Sequence, residues 1–410
     1  MLEMLYQEVF VEAFKLVIVF FVIVALLHWR KPLPVAIAGG ILSTCFLYGL
    51  GVSQSVHYMF QSITGWPTLS LLLVFYCIMF LQRMLEKRDC LIKARNALDG
   101  ISANRRVNTA LAPMFIGLLP SAAAMLICGS IVNSYCKEHL KAEERTLITT
   151  YFRHIPESFV PTYTSIILGV ELSGLPLASF IVSMLPMVAV LIALGYYFLL
   201  RDLPVTTGRA LSDNKWAEFA QIGKSLWTLA LIVALVIVLN APVWAAAGFV
   251  IVLNVVVDRF SWQELKPMFV SSFESRMLLT TALIMVFKDI IGETGVIEVL
   301  PELFAALPIP PFFAFFLIFF FGTIVSGQQA MTAIAIPLAF ATIPDGGTPL
   351  LMLLLSAGYI AMQISPTHIC LAVVTEYFHT SMSALIRRTL PIVGSFVPIL
   401  LGYYLLLTAF

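Results

Sequence analysis

The chain has 410 residues, 60 % of them hydrophobic and 11 % charged, with a mean hydropathy of +0.96. No soluble domain of this length needs so much apolar surface, so an integral membrane protein is expected. The net charge of +1 is uninformative about partners, and no nucleic-acid partner is expected.

The spans follow in chain order. A helix that crosses a bilayer takes roughly 20 apolar residues. The N-terminus is acidic (Glu3, Glu8, Glu12), and the first apolar run, 11–28, ends on Trp29-Arg30-Lys31 without a small-residue cleavage site. It therefore reads as a retained helix and not as a signal peptide. Further runs cover 33–50 and 68–85, then 108–134, 142–172 and 174–200. A polar linker at 201–224 carries Pro204, Gly208 and Ser212. Beyond it the order recurs as 225–240, 242–257, 277–291, 311–343, 348–379 and 385–408.

Two runs in each half contain polar breaks. Gly117-Leu118-Leu119-Pro120-Ser121 and His154-Ile155-Pro156-Glu157-Ser158 interrupt the first half. Ser326-Gly327-Gln328-Gln329 and Ile364-Ser365-Pro366-Thr367-His368 interrupt the second. Lipid cannot satisfy unwound backbone, so such breaks belong where protein or a water-filled cavity surrounds them. Matching breaks in two halves point to the substrate site of a secondary transporter.

Charge fixes how the broken runs are threaded. If 108–134 and 311–343 enter the membrane and return as re-entrant hairpins, 22 of the 24 Lys and Arg fall on the cytoplasmic side, counting Arg153 with the 137–153 stretch that enters from there. Lys15 and Lys288 are the exceptions, and both termini come out external. The result is an all-α integral membrane fold of two inverted repeats, 1–200 and 225–410, joined by the 201–224 linker. Each repeat has five transmembrane helices, one of them broken (142–172 and 348–379), plus one hairpin.

The break residues suggest chemistry. Ser365 before Pro366 reads as a helix N-cap followed by proline at the first helical position. Ser326 and Ser121 read as caps of the returning hairpin arms, and Pro156 as the opening of the outer half-helix. Four helix N-termini would then face the midplane, an arrangement suited to an anion. From Glu144 to His154 is about 15 Å of helix, half of a ~30 Å apolar core. Arg153, His154 and Glu157 are therefore expected near the midplane, where ionisable groups are costly and usually functional. Arg153 and Glu157 also stand four apart and could pair across the kink. His368 is the candidate partner from the opposite break.

Six scattered cysteines without a CxxC pair argue against disulfides, a zinc site or an iron–sulfur centre. No phosphate-binding loop, HExxH or nucleophile elbow occurs, so neither ATP drive nor a known hydrolase centre is expected.

With the hairpin-and-broken-helix order duplicated, the chain resembles the ion transporter superfamily of secondary carriers. The segment Gln363 to Leu371 with Glu376-Tyr377-Phe378 is most similar to an uncharacterised prokaryotic family, domain-of-unknown-function family 401. The superfamily resemblance implies an elevator-type carrier of a small organic anion, often a homodimer, coupled to sodium or protons. The break residues themselves give the candidate binding set: Pro120, Ser121, His154, Pro156, Glu157, Ser158, Ser326, Gly327, Gln328, Gln329, Ser365, Pro366, Thr367 and His368. A coupling sodium would sit near Ser121 and Ser158 or near Ser326 and Thr367. The titratable groups at 154, 157 and 368 favour protons instead. A cation/proton antiporter and an intramembrane metal enzyme stay open as alternatives.

Overall fold

The computed structural model describes residues 2–118, 123–208, 210–305 and 307–409. The chain is helical throughout, with no strand among the described residues. The first half runs α1 (Leu2–His28), α2 (Leu33–Leu47), α3 (Val52–Thr64), α4 (Trp66–Lys87), α5 (Cys90–Ile101), α6 (Arg105–Ile116), α7 (Ala123–Cys136), α8 (Ala142–His154), α9 (Thr164–Ser173) and α10 (Leu177–Gly195). The second half runs α11 (Lys215–Leu239), α12 (Val243–Val257), α13 (Trp262–Ser271), α14 (Ser275–Glu293), α15 (Val296–Ala305), α16 (Pro311–Ser326), α17 (Gln328–Thr342), α18 (Gly347–Met362), α19 (Ile369–Tyr377) and α20 (Met382–Thr408).

Four of these helices were not expected. α3, α5, α13 and α15 have 13, 12, 10 and 10 residues and mix polar with apolar positions. A search for long apolar runs passes over them. Nor are the spans all long rods. By length and composition α4, α10 with the π turn that follows it, α11, α18 with the 3₁₀ turn before it, and α20 can each cross a bilayer. α13 and α14 make a sixth span if the pair, bent by 48°, counts as one. The chain is accordingly a multi-pass membrane protein. The runs at 33–50 and 242–257 form helices of only 15 residues.

The helices sort into two layers. α1 to α5 pack with α11 to α15, and α6 to α10 pack with α16 to α20. α18 lies at the centre of the second layer. All of its residues from Leu350 to Met362 are buried, against α9, α10, α16, α17 and α20. That is why this helix is apolar on every face.

The packing partners exchange between the halves. α9 lies on α17 while α19 lies on α7; α5 lies on α11 while α15 lies on α1; α4 lies on α12 while α14 lies on α2. Each contact therefore recurs with the two halves swapped.

The run at 108–134 is two helices that double back. Thr109 Oγ1, near the start of α6, is 3.5 Å from Cys136 Sγ at the end of α7. Beyond those ends, Arg105 Nη1 meets His139 Nε2 at 2.5 Å. The run at 311–343 is likewise two helices packed on each other, α16 and α17, joined at Gly327. Gly327 has φ 87°, a conformation that only glycine adopts without strain.

Because the two ends of the first hairpin meet, Arg105→Cys and Lys137→Cys should react with an impermeant thiol reagent from the same side of the membrane, in a background without the native cysteines. Labelling from opposite sides would contradict the doubled-back arrangement.

Candidate functional site

The two broken helices meet in the second layer, and proline explains both breaks. Pro156 has no N–H to continue α8, so the chain tightens into a 3₁₀ turn over Ile155–Ser158 and only restarts at Thr164. Pro366 sits inside the turn between α18 and α19. The restart points differ from those read off the sequence. Tyr163, not Pro156, precedes α9, and His368, not Ser365, precedes α19; neither caps with its side chain. Ser326 does not cap α17 either, since Gly327 holds that position and Ser326 Oγ donates to Gly322 O at 2.7 Å. Ser158 Oγ donates to Ile155 O at 2.7 Å. Pro120 and Ser121 lie outside the described residues.

The Ser365 hydroxyl is taken by a distant partner. Its Oγ donates to Ile324 O at 2.8 Å and accepts from Thr367 N at 3.3 Å, while Thr367 Oγ1 stands 2.8 Å from Ser365 Oγ. Ile324 lies in the last turn of α16, where helix carbonyls have no partner of their own. The first half has the same device. Thr162 Oγ1 donates to Leu118 O at 3.0 Å, and Tyr163 OH donates to Gly117 O. In each half, then, hydroxyls from the break hold the carbonyl end of the first hairpin arm. Gly117 also lies directly against the carbonyl oxygen of Arg153.

Beside these ties lies a cavity of about 420 Å³, with Tyr163 in its wall. The first residues of three helices line it: Thr164 and Ser165 of α9, Gln328 and Gln329 of α17, and Ile369 and Cys370 of α19. Each N-terminus brings free N–H groups and a partial positive charge. Arg153 and Glu157 complete the wall. Arg153 is only 2 % exposed, and its Nη1 pairs with Glu157 Oε2 at 2.9 Å. A neighbouring cavity of about 470 Å³ is lined by Ser365, Pro366, Thr367 and Arg30. Ser326, Gly327 and His368 border both.

His154 lies behind this wall, fully buried. Its Nδ1 is 2.6 Å from the carbonyl oxygen of Thr150. A carbonyl only accepts, so Nδ1 carries the proton and the neutral ring presents a lone pair at Nε2. That Nε2 faces Nε2 of His368 at 3.1 Å and lies 3.9 Å from Glu157 Oε2.

The chain belongs to the DUF401 family. The family, described as a protein of unknown function (DUF401), matches residues 13–407. No curated protein matches the chain.

In this DUF401 chain the structure brings together Arg153, Glu157, Ser326, Gly327, Gln328, Gln329 and His368 around the first cavity. It sets Ser365, Pro366 and Thr367 on the second. Sequence reasoning missed Tyr163, Thr164, Ser165, Cys370 and Arg30. Cys370 follows His368 by two positions, and the signal for Thr164 and Ser165 was the polar stretch after Pro161.

Two substitutions test the ties. Gly117→Ala would drive a methyl group into the Arg153 carbonyl, and backbone cannot swing aside. It should destabilise the protein by about 1–3 kcal/mol, read as a lower Tm. Ser365→Ala strips the Ile324 carbonyl of its best donor and should cost about 1–3 kcal/mol. An unchanged Tm in either variant would show that the tie carries no weight.

Proposed function

We propose that this protein is a secondary active carrier of a small carboxylate-type anion, coupled to protons or sodium, working by alternating access in a cytoplasmic membrane. The observation that carries this reading is the convergence of three helix N-termini and buried Arg153 on one cavity of about 420 Å³. Fixed N–H dipoles and a guanidinium in a low-dielectric interior favour an anion, and a guanidinium can take a carboxylate through two parallel hydrogen bonds. The cavity falls in the range of small-molecule sites, roughly 300–1,000 Å³.

The swapped packing partners of the two halves support reading them as inverted repeats, with the hairpins and broken helices as the mobile unit. In this reading both hairpins are re-entrant and both termini external. Lipid surrounds the exposed apolar faces, and a second copy of the chain is the expected partner.

Coupling has two candidate sources. Glu157 stands between Arg153 and His154 and can gain or lose a proton as the anion enters. Sodium finds support in the buried oxygens Thr323 Oγ1, Gln328 Oε1 and Thr332 Oγ1, which have no hydrogen-bond partner among the described residues.

The test is a thermal-shift panel of mono-, di- and tricarboxylates on purified protein, at several pH values and with or without sodium. A carried anion should raise the Tm by mass action, and neutral sugars should not. Arg153→Gln, if it folds, should weaken apparent affinity roughly tenfold to a hundredfold, the worth of one charge-assisted hydrogen bond of about 1.5–3 kcal/mol. No response to any carboxylate, or equal affinity in Arg153→Gln, would overturn the anion site.

A further inference from the structure

His154 behind the cavity wall, with His368 and Cys370 on it, forms a second constellation beside the anion site. A ring nitrogen of His154, a ring nitrogen of His368 and Sγ of Cys370 come together with every ligand atom within 4.8 Å of the others. His154 comes from the end of α8, while His368 immediately precedes α19 and Cys370 lies in its first turn. We propose that His154, His368 and Cys370 bind a transition-metal ion of the zinc type.

Three features carry the assignment. First, the geometry fits. Two imidazole nitrogens at about 2.0–2.1 Å from a tetrahedral zinc stand about 3.3–3.4 Å apart. The two Nε2 atoms here are 3.1 Å apart, so a small adjustment seats the ion. A hydrogen bond between the rings would explain that distance alone, but it needs no thiol beside it.

Second, His154 is already set as a ligand. Its Nδ1–H bond to the Thr150 carbonyl fixes the ring and aims the Nε2 lone pair at His368. Metal-binding histidines are generally held this way through the other nitrogen. In the empty site His368 Nε2 donates its proton to His154. On metal binding that proton moves to His368 Nδ1, and the Cys370 thiol releases its proton as the thiolate binds.

Third, the donor set selects the metal. Two imidazoles and a thiolate suit a borderline-soft ion, whereas sodium, magnesium and calcium require oxygen ligands. The site is therefore distinct from the candidate sodium oxygens at Thr323, Gln328 and Thr332. The nearby guanidinium does not exclude a dication, because Arg153 is paired with Glu157 at 2.9 Å and the thiolate adds a negative charge. Three protein ligands leave the fourth tetrahedral position open, with Glu157 Oε2 the nearest carboxylate, 3.9 Å from His154 Nε2. No CxxC-type spacing marks this set, because α8 and α19 bring it together across 214 positions.

The test uses untagged full-length protein, stripped with chelator, then titrated with Zn²⁺ or Co²⁺ alone. It is independent of the anion reading, since no substrate is present. The folded parent should retain one Zn²⁺ per chain through gel filtration, and its Co²⁺ form should show thiolate-to-cobalt charge-transfer absorption. Cys370→Ser, nearly isosteric, should abolish that absorption. It should also weaken Zn²⁺ binding at least about a hundredfold, beyond the 10–100-fold typical of losing a group that only supports a ligand. His368→Gln should weaken binding similarly. Cys128→Ser, at another buried cysteine, should keep both signals. Folded parent without stoichiometric zinc or without the charge-transfer band overturns the site, as does a Cys370→Ser protein that keeps the band. Should Cys370→Ser fail to fold, the parent spectrum and the His368→Gln titration decide.

Discussion

Everything around the cavity depends on how two unwound segments satisfy their backbone inside an apolar protein. The last carbonyls of a helix have no internal partner, and lipid supplies none. Here the chain supplies hydroxyls: Thr162 and Tyr163 to Leu118 and Gly117 in one half, Ser365 to Ile324 in the other. The carbonyl ends of the first hairpin arms are thereby fixed against the breaks, and the starts of α9, α17 and α19 are left open to the cavity. If the carbonyl ends were the open ones, the wall would be electronegative and no anion would be favoured there. The polarity of the site is thus a consequence of which helix ends are tied.

The same economy governs the charges. Arg153 enters the buried layer at the end of α8, four residues from Glu157, and their pairing compensates a guanidinium that is almost wholly out of water. Glu157 also reaches toward His154, so a change at any of the three groups is felt by the others. An arriving carboxylate would compete with Glu157 for Arg153. That competition gives a physical route from anion binding to a change in the proton affinity of Glu157, and it needs no motion to begin.

The positions of the breaks were legible in the sequence because proline and polar residues inside an apolar run have few other uses. The 154–158 and 364–368 segments and the 327 turn stand where the pattern put them. The helix starts were misplaced, and the reason is non-local. A serine before proline carries the local signature of a cap, but the Ser365 hydroxyl is occupied by a carbonyl 41 positions away. α3, α5, α13 and α15 were invisible because short mixed helices owe their stability to packing on neighbours and not to their own hydropathy. Cys370 escaped notice because its partner His154 is remote in the chain.

The exchange of packing partners explains why the site cannot belong to one half. α9 leans on α17 and α19 on α7, so each half-helix that restarts after a break is supported by a hairpin arm of the other half. The cavity is the space left where these crossed supports meet. Arg153, Glu157 and Thr164 reach it from one half, and Gln328, His368 and Cys370 from the other. A displacement of α8 against α19 within the second layer would therefore part His154 from His368 and open the wall beside the cavity. Any ion that bridges the two histidines would resist that parting, which links occupancy of the buried wall to the ease of opening the cavity.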